Sequence, residues 1–144
     1  MTDRAALTVF DTSALVAAPI QQHPDHAWAD TQFKIAKRPA LWSHSLAELY
    51  SVLTGSPQLR VAPPQALETL EHLTETMEVL PLGAAQYLRA VSRCQALHLQ
   101  GGAIYDPLLA VAALEAGAAG LVTLNPKHFR RLGEDVERLV ISPE

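Results

Sequence analysis

Four polar side chains stand where they could carry out metal-assisted chemistry on a phosphate: Asp11, Glu48, Asp106 and Asn125. Hard divalent cations prefer carboxylate oxygens, and Mg²⁺ usually keeps several waters beside a few protein ligands. The three acids would supply carboxylates, and Asn125 would supply a neutral oxygen or an amide donor. Bound Mg²⁺ orients a water, lowers the pKa of that water and neutralises charge on a phosphoryl oxygen. These residue types therefore point to metal-assisted hydrolysis of a phosphodiester bond.

Each of these residues also fits a purely structural role at the start of a helix. Asp106 and Asn125 each precede a proline, as an N-cap residue often does. Ser45 and Glu48 have the spacing of a capping box. Asp11 could cap a turn that begins at the next residue. Taken singly, each capping role competes on equal terms with a functional one. We expect these residues to converge on one edge of a β-sheet, and that convergence favours a functional role over a purely structural one.

The elements that must position these residues alternate between strands and helices. Short apolar runs predict five strands, at residues 7–10, 41–43, 79–80, 120–124 and 139–141. Helical spacing of apolar residues predicts helices at residues 23–37, 45–53, 67–77, 84–98, 106–116 and 126–132. Parallel strands need crossover connections, so this alternation predicts an α/β domain with a central five-stranded parallel sheet flanked by helices.

The predicted topology brings most of the polar residues to one edge. Ligands of open parallel sheets bind beyond the carboxyl ends of the strands. Asp11, Glu48 and Asn125 follow predicted strands and should share that edge. Asp106 follows a glycine break at residues 101–102 instead, so its position is less firmly fixed by the pattern.

Two predicted helices have faces that the sequence pattern assigns. The helix at 106–116 is apolar all round, which predicts burial on both sides. In the helix at 84–98 we predict apolar side chains facing inward and arginines facing outward. The inward residues are Leu88, Val91 and Leu97, and the outward ones are Arg89 and Arg93.

Chain length, composition and net charge limit the classes of function that the sequence can support. The 144 residues favour one domain spanning 1–144, and 49% apolar with 18% charged residues is ordinary globular composition. The formal charge of −4 disfavours nucleic-acid binding by global charge alone. A local basic patch follows Asn125, and we favour Lys127 and Arg130 within it as contacts for a substrate phosphate.

Cysteine content and hydropathy indicate the compartment. The single cysteine, Cys94, allows no internal disulfide and suits a reducing cytosol. No stretch reaches membrane-spanning length, and residues 5–10 are too short for the apolar core of a signal peptide. We therefore expect a cytoplasmic protein without a membrane partner.

Four stretches, in this order, resemble the motifs of a PIN domain, and most of all the small VapC-type toxins of bacterial toxin–antitoxin pairs. They are residues 9–15 (VFDTSAL), Glu48 within its helix, residues 105–110 (YDPLLA) and residues 121–129 (LVTLNPKHF). The first motif alone is common among proteins, whereas all four in order are specific. The resemblance covers nearly the whole chain.

The resemblance implies a Mg²⁺- or Mn²⁺-dependent endoribonuclease that cuts RNA, forms a homodimer and is inhibited by a cognate antitoxin. By position, Asp11, Glu48 and Asp106 correspond to the acidic metal site of the family. Asn125 stands where many members have a fourth acid, and it would join these three in the catalytic set. Ser13 and Thr123 match small hydroxyl residues that often flank the acids, where they could contact a substrate phosphate.

Two other functions compete with a nuclease. The first is a non-catalytic α/β signalling or binding module that holds Mg²⁺ at an acidic edge. Receiver domains of this kind carry two adjacent acids near the end of the first strand, whereas Asp11 stands alone after Phe10. The second is a phosphatase with Asp11 as covalent nucleophile. Its Asp-x-Asp pattern needs an acid at position 13, where this chain has Ser13.

Overall fold

Five parallel strands form a single sheet in the computed structural model, which describes residues 5–143. The strands are β1 (Leu7–Phe10), β2 (Arg38–Trp42), β3 (Glu78–Leu80), β4 (Gly120–Val122) and β5 (Val140–Ile141). Their order is β3-β2-β1-β4-β5, and every neighbouring pair is parallel. This confirms the predicted fold class. The second strand begins earlier than predicted because Arg38 and Pro39 interrupt its apolar pattern.

The helices described are α1 (Thr12–Ala17), α2 (His26–Ile35), α3 (Ser43–Gly55), α4 (Pro63–Thr76), α5 (Ala84–Leu97), α6 (Tyr105–Glu115), α7 (Pro126–Arg130) and α8 (Glu134–Glu137). A 3-10 turn at Gly101–Ile104 leads directly into α6. The sequence pattern did not predict α1 or α8. Helices this short carry too few residues to show a period of 3.6, and neither begins with a proline as α7 does. None of the helices within residues 5–143 has the length and hydropathy needed to cross a bilayer.

The sheet carries a hydrophobic core on each face. Val9 and Trp42 pack in one core together with α6, while Phe10 and Leu41 pack in the other with α1 and α3. Successive residues of a strand point to opposite faces, which is why neighbours in β1 and β2 enter different cores. The continuous apolar runs of these strands follow from this burial on both faces.

Helix α6 is buried along most of its length. Residues 107–113 are all buried, as the uniformly apolar sequence predicts. Packing on several sides fixes the position of this helix. Asp106 lies in its first turn and is therefore carried on a rigid support.

The predicted inward face of α5 is wrong. Leu88 is 68% exposed and Val91 50% exposed, whereas the buried residues of this helix are Ala90 and Cys94. Leu97 is exposed as well. The helix packs through its small side chains, which allow a close approach to α6, so the large apolar residues are left on the outer side.

The two arginines of α5 differ from each other. Arg89 is exposed as predicted and pairs with Glu115. Arg93 is only 26% exposed, so its predicted outward position is wrong. Its guanidinium donates two hydrogen bonds of 2.9 Å to the Asp135 carboxylate and one of 2.9 Å to the Leu132 carbonyl. These bonds join α5 to α8.

Gly133→Ala should destabilise the fold through this junction. Gly133 has a φ of 137°. A Cβ atom there would lie 2.9 Å from Asp135 Oδ1 and 3.0 Å from Arg93 Nη1. We expect a loss of about 1–3 kcal/mol in the free energy of unfolding, measured by urea denaturation. Gly55→Ala is the control, since nothing lies within 4 Å of its Cβ position, and it should raise stability by up to about 1 kcal/mol. Equal effects of the two substitutions would contradict the expected strain.

Candidate active site

Asp11 lies where β1 passes into α1. Its backbone N–H donates to the Val122 carbonyl at 2.9 Å and extends the pairing of β1 with β4 by one residue. Its side chain caps α1, with Oδ1 accepting from the Thr12 N–H at 2.8 Å. The predicted capping role is therefore confirmed. The same geometry places a nearly buried carboxylate at the carboxyl edge of the sheet.

Two hydroxyls hold the other oxygen of this carboxylate. Asp11 Oδ2 accepts from Ser13 Oγ at 2.8 Å and from Thr123 Oγ1 at 2.9 Å. Each hydroxyl also accepts a backbone N–H from the segment after β4. Leu124 donates to Ser13 at 3.0 Å, and Asn125 donates to Thr123 at 2.9 Å. Thr123 is fully buried, so it has no exposed surface with which to contact a phosphate.

Glu48 lies in the second turn of α3, because that helix begins at Ser43 rather than at residue 45. The predicted capping box is therefore wrong: Ser45 is inside the helix, and its buried hydroxyl has no hydrogen-bond partner within residues 5–143. Glu48 instead faces Asp11, and its Oε1 accepts from Thr12 Oγ1 at 3.3 Å. Burial raises the pKa of Glu48. The charge of His44 opposes this effect, while the charges of Asp11 and Asp106 add to it.

Asp106 is the second residue of α6, and Ile104 is its N-cap residue. The predicted N-cap role of Asp106 is therefore wrong, because the 3-10 turn continues straight into the helix. Asp106 Oδ2 lies 3.3 Å from His128 Nδ1, and the two form an ion pair when the imidazole is protonated. Burial raises the pKa of Asp106, and so does the charge of Asp11, while His128 and Arg131 lower it.

Asn125 is the N-cap residue of α7, but its side chain makes no capping hydrogen bond. The predicted position is confirmed, whereas the side-chain bond that would make it a structural cap is absent at this residue. Asn125 shares one cleft with Lys127, His128 and Arg130. The structure thus brings the two predicted phosphate contacts together with Asn125.

Sequence reasoning missed His44 and the contact that His128 makes with Asp106. His44 lies one turn before Glu48 on α3, and its charge acts on that carboxylate. The spacing of four residues could have revealed it, since residues i and i+4 share a helix face. His128 belongs to the basic patch that follows Asn125, but its contact with Asp106 gave no comparable signal, because it depends on how α7 packs against α6.

The donor chemistry of the three acids fits a hard divalent cation. The charges of Asp11 and Asp106 act on Glu48, and the charge of Asp11 acts on Asp106. No three His, Cys, Asp or Glu side chains among residues 5–143 form a ready-made group able to hold a metal ion. Mg²⁺ commonly binds one or two carboxylates and keeps its remaining waters, so it does not require such a cage. In the described part of the chain, Asp106 Oδ1 and Glu48 Oε2 make no hydrogen bond, which leaves an acceptor on each.

Sequence comparisons relate the chain to known proteins. The family model described as the PIN domain matches residues 8–135. Ribonuclease VapC27 of Mycobacterium tuberculosis (strain ATCC 25618 / H37Rv) is 36% identical over 114 residues, which is 73% of this chain and 75% of that protein. Ribonuclease VapC40 of Mycobacterium tuberculosis (strain CDC 1551 / Oshkosh) is 34% identical over 135 residues, or 93% of this chain and 95% of that protein.

Solved structures share the fold. The crystal structure of VapC20 from Mycobacterium tuberculosis, a sarcin-ricin loop cleaving toxin, aligns with a TM-score of 0.67 and 16% identity, over 79% of this chain and 86% of that chain. VapBC2 from Rickettsia felis, bound to a DNA fragment from its promoter, gives a TM-score of 0.67 and 24% identity over 94% and 98% of the two chains. These alignments agree with the five-stranded parallel sheet described above.

Proposed function

The chain belongs to the PIN domain family, and from this premise we propose that it is a metal-dependent endoribonuclease, the toxin of a toxin–antitoxin pair. Two relatives at 34% identity or more are named ribonucleases. The observation that carries the proposal is the position of Asp11, Glu48 and Asp106 at the carboxyl edge of the sheet, where the charge of Asp11 raises the pKa of both Glu48 and Asp106. Such clustering of perturbed carboxyls is typical of functional sites.

Asp11, Glu48 and Asp106 would hold Mg²⁺ or Mn²⁺. When bound, the ion supplies positive charge that activates water as a nucleophile and neutralises charge on a phosphoryl oxygen. The remaining work falls to the protein. Thr12 donates to both Asp11 and Glu48, through its N–H and its hydroxyl respectively, and so fixes the relative orientation of these two acids.

Ser13 and Thr123 act as positioning residues in this proposal. Both donate to the same oxygen of Asp11, which holds the carboxylate in one orientation. This replaces the expected phosphate contact for Thr123, whose side chain is fully buried. In this proposal the substrate phosphate is instead contacted by Lys127 and Arg130, the cations of the cleft that follows β4.

Cleavage of RNA tests the proposal directly. We expect the purified protein to cut single-stranded or structured RNA with Mg²⁺ or Mn²⁺ and to stop when EDTA is added. Asp30→Asn is the matched control, since Asp30 pairs with Lys34 on α2, and it should leave cleavage unchanged. Metal-independent cleavage at the same sites would overturn the mechanism. Mg²⁺ binding without any cleavage would favour the non-catalytic module instead.

Asn125→Asp separates two roles for this residue. If Asn125 only places water or phosphate, the aspartate should preserve cleavage and tighten metal binding, because it adds an anionic ligand. If the amide must donate a hydrogen bond, cleavage should fall by about 10-fold or more. We expect the first result, since no capping bond constrains the side chain. Metal titration and cleavage rates are measured on the same preparation, and a variant unchanged in both would contradict any role at the site.

We further propose a cognate antitoxin as partner, on the strength of the resemblance to VapC-type toxins. It would inhibit by placing an arginine among the acids or by covering the cleft of Lys127 and Arg130. Hydrogen exchange of the co-purified complex locates the covered residues. Protection restricted to the opposite edge of the sheet would contradict occlusion of the site.

A homodimer in the cytoplasm completes the proposal. Leu88 and Val91 lie one turn apart on α5, and both are half or more exposed. A second copy of the chain would remove this apolar surface from water. Sedimentation equilibrium measures the mass of the assembly, and a monomer at micromolar concentration would overturn this part of the proposal. The cytoplasmic location agrees with the single unpaired cysteine, Cys94.

A further inference from the structure

Three aromatic rings form a row from the core to the surface beside the acids. Trp42, at the end of β2, is buried. Its ring centroid lies 4.9 Å from that of His44, with the rings tilted by 40°. The His44 ring lies 5.1 Å from the Tyr105 ring and is nearly parallel to it, at 8°. Tyr105 is the outermost ring and is 45% exposed.

This row ends at the acidic site. Tyr105 immediately precedes Asp106, and His44 stands one helical turn before Glu48. An open groove runs between α3 and α6. It is lined by His44, Ala47, Glu48, Ser51, Val52 and Tyr105. The proposed hydrolysis makes no use of the rings, so the exposed tyrosine is unexplained by the acids alone.

The strand order places side chains of different chemistry on the two sides of Asp11. Trp42 and His44 lie where β2 passes into α3, and Tyr105 of α6 joins them by stacking on His44. The cationic cleft follows β4, while Asp11 follows β1, which lies between β2 and β4. A phosphate suits the side with Lys127 and Arg130. The other side carries the Glu48 carboxylate, which repels a phosphate but can accept a hydrogen bond from a base amino group.

We propose that Tyr105, backed by His44, is a stacking platform for one nucleobase of the RNA strand, next to the phosphate that is cut. The inference rests on the proposed ribonuclease function and adds a base-binding subsite to it. A flat ring held parallel to a second ring has its orientation fixed before RNA arrives. Bases of single-stranded RNA stack on such exposed aromatic faces, with modest base preferences that come from stacking strength.

Three substitutions of Tyr105 test the platform. Tyr105→Phe keeps the ring, Tyr105→Leu keeps an apolar side chain without a ring face, and Tyr105→Ala removes both. Tyr50→Ala is the matched control, because Tyr50 is 42% exposed on α3 but does not line the groove. Melting temperatures identify any variant that fails to fold.

Binding is measured by fluorescence anisotropy with labelled oligoadenylate and oligouridylate, in EDTA to prevent cleavage. We expect Tyr105→Phe and the control to bind within about twofold of wild type. The leucine and alanine variants should bind about 5- to 100-fold more weakly, with the larger loss on oligoadenylate because adenine offers the larger stacking face. A leucine variant that binds like the phenylalanine variant would overturn the platform.

Cleavage of a random-sequence RNA pool, with sequencing of the cut ends, gives the second readout. Wild type and Tyr105→Phe should share a base preference beside the cut, and Tyr105→Leu should lose it.

If wild type cuts RNA and the leucine variant has unchanged binding and base preference, the platform is refuted and the ribonuclease proposal is not. If binding depends on Tyr105 but no variant cuts RNA, the platform stands and the ribonuclease proposal falls. Weakened antitoxin binding with unchanged RNA binding would assign Tyr105 to a peptide and overturn the inference.

Discussion

Asp106→Asn should lower RNA cleavage by about 10³-fold and at the same time stabilise the metal-free protein. The loss of cleavage follows from removing one of the three carboxylates proposed to hold the cation. The gain in stability follows from the raised pKa of Asp106, because burial and the charge of Asp11 both disfavour its ionised form. Asparagine removes the charge and keeps the shape. Single-turnover cleavage and urea denaturation in EDTA measure the two effects.

The control for this variant is Asp30→Asn, which breaks an exposed ion pair with Lys34 on α2. It should leave cleavage unchanged and lower stability by about 0.5 kcal/mol or less. Mg²⁺ should raise the melting temperature of wild type, since a ligand that binds only the folded state stabilises it, and should raise that of Asp106→Asn less. If Asp106→Asn loses metal-free stability and wild type does not respond to Mg²⁺, the acid is structural and the nuclease proposal loses its main support.

The pH dependence of stability follows from the same raised pKa values. Glu48 and Asp106 have folded pKa values raised above their ordinary 4.5 and 3.8, so the folded state binds more protons than the unfolded chain between the ordinary and the raised values. Metal-free stability should therefore fall as pH rises through that window and level off above it. Asp135 acts in the opposite direction, because Arg93 lowers its pKa, and its contribution is lost as pH falls through the lowered value. Asp106→Asn should make the fall shallower.

Thr123→Val should be the most destabilising change of an uncharged residue at the site. The substitution keeps the shape of a fully buried side chain and removes its hydroxyl. That hydroxyl donates to Asp11 at 2.9 Å and accepts from the Asn125 N–H at 2.9 Å. We expect a loss of about 1–3 kcal/mol in the free energy of unfolding. Cleavage should fall by about 10- to 100-fold, as is typical when a group that orients a metal ligand is removed.

Thr31→Val is the matched control for this substitution. Thr31 is exposed on α2, and its hydroxyl donates to the Ala27 carbonyl at 2.9 Å. Its replacement should change stability by about 0.5 kcal/mol or less and leave cleavage intact. If Thr123→Val cuts RNA at the wild-type rate while Asp106→Asn does not, the orientation of Asp11 is unimportant for the reaction.

Patterns of apolar residues were sufficient to predict the sheet. The runs of β1 and β4 are short and continuous because both faces of these strands are buried, and the helices between strands imply parallel pairing. The same patterns misled us on α5, where Ala90 and Cys94 face the core in place of Leu88 and Val91. Periodicity identifies a helix, but which face is buried also depends on how closely its neighbour approaches.

At the site, the capping patterns were less reliable predictors than the alternation of strands and helices. The rule that ligands bind beyond the carboxyl ends of parallel strands placed Asp11 correctly. The capping signals at Asp106 and Ser45 were wrong because each helix begins before the expected residue. Sequence spacing cannot reveal that His128 meets Asp106, or that Thr123 reaches Asp11 from the other end of the chain. Such contacts arise only when separate elements pack together.

The separation of Asp11 and Thr123 along the chain has a consequence for protein synthesis. Their hydrogen bond joins residues 112 positions apart, and the Asp11 N–H to Val122 carbonyl bond spans almost the same interval. Domains fold as units while a chain emerges from the ribosome, and contacts between distant residues form only after both have emerged. These two long-range bonds to Asp11 therefore cannot form until β4 has left the ribosome, and until then only Thr12 and Ser13 hold its carboxylate. On the proposed function, a nascent chain that still lacks β4 has an incompletely oriented Asp11 and cuts the RNA around it more slowly than the finished protein.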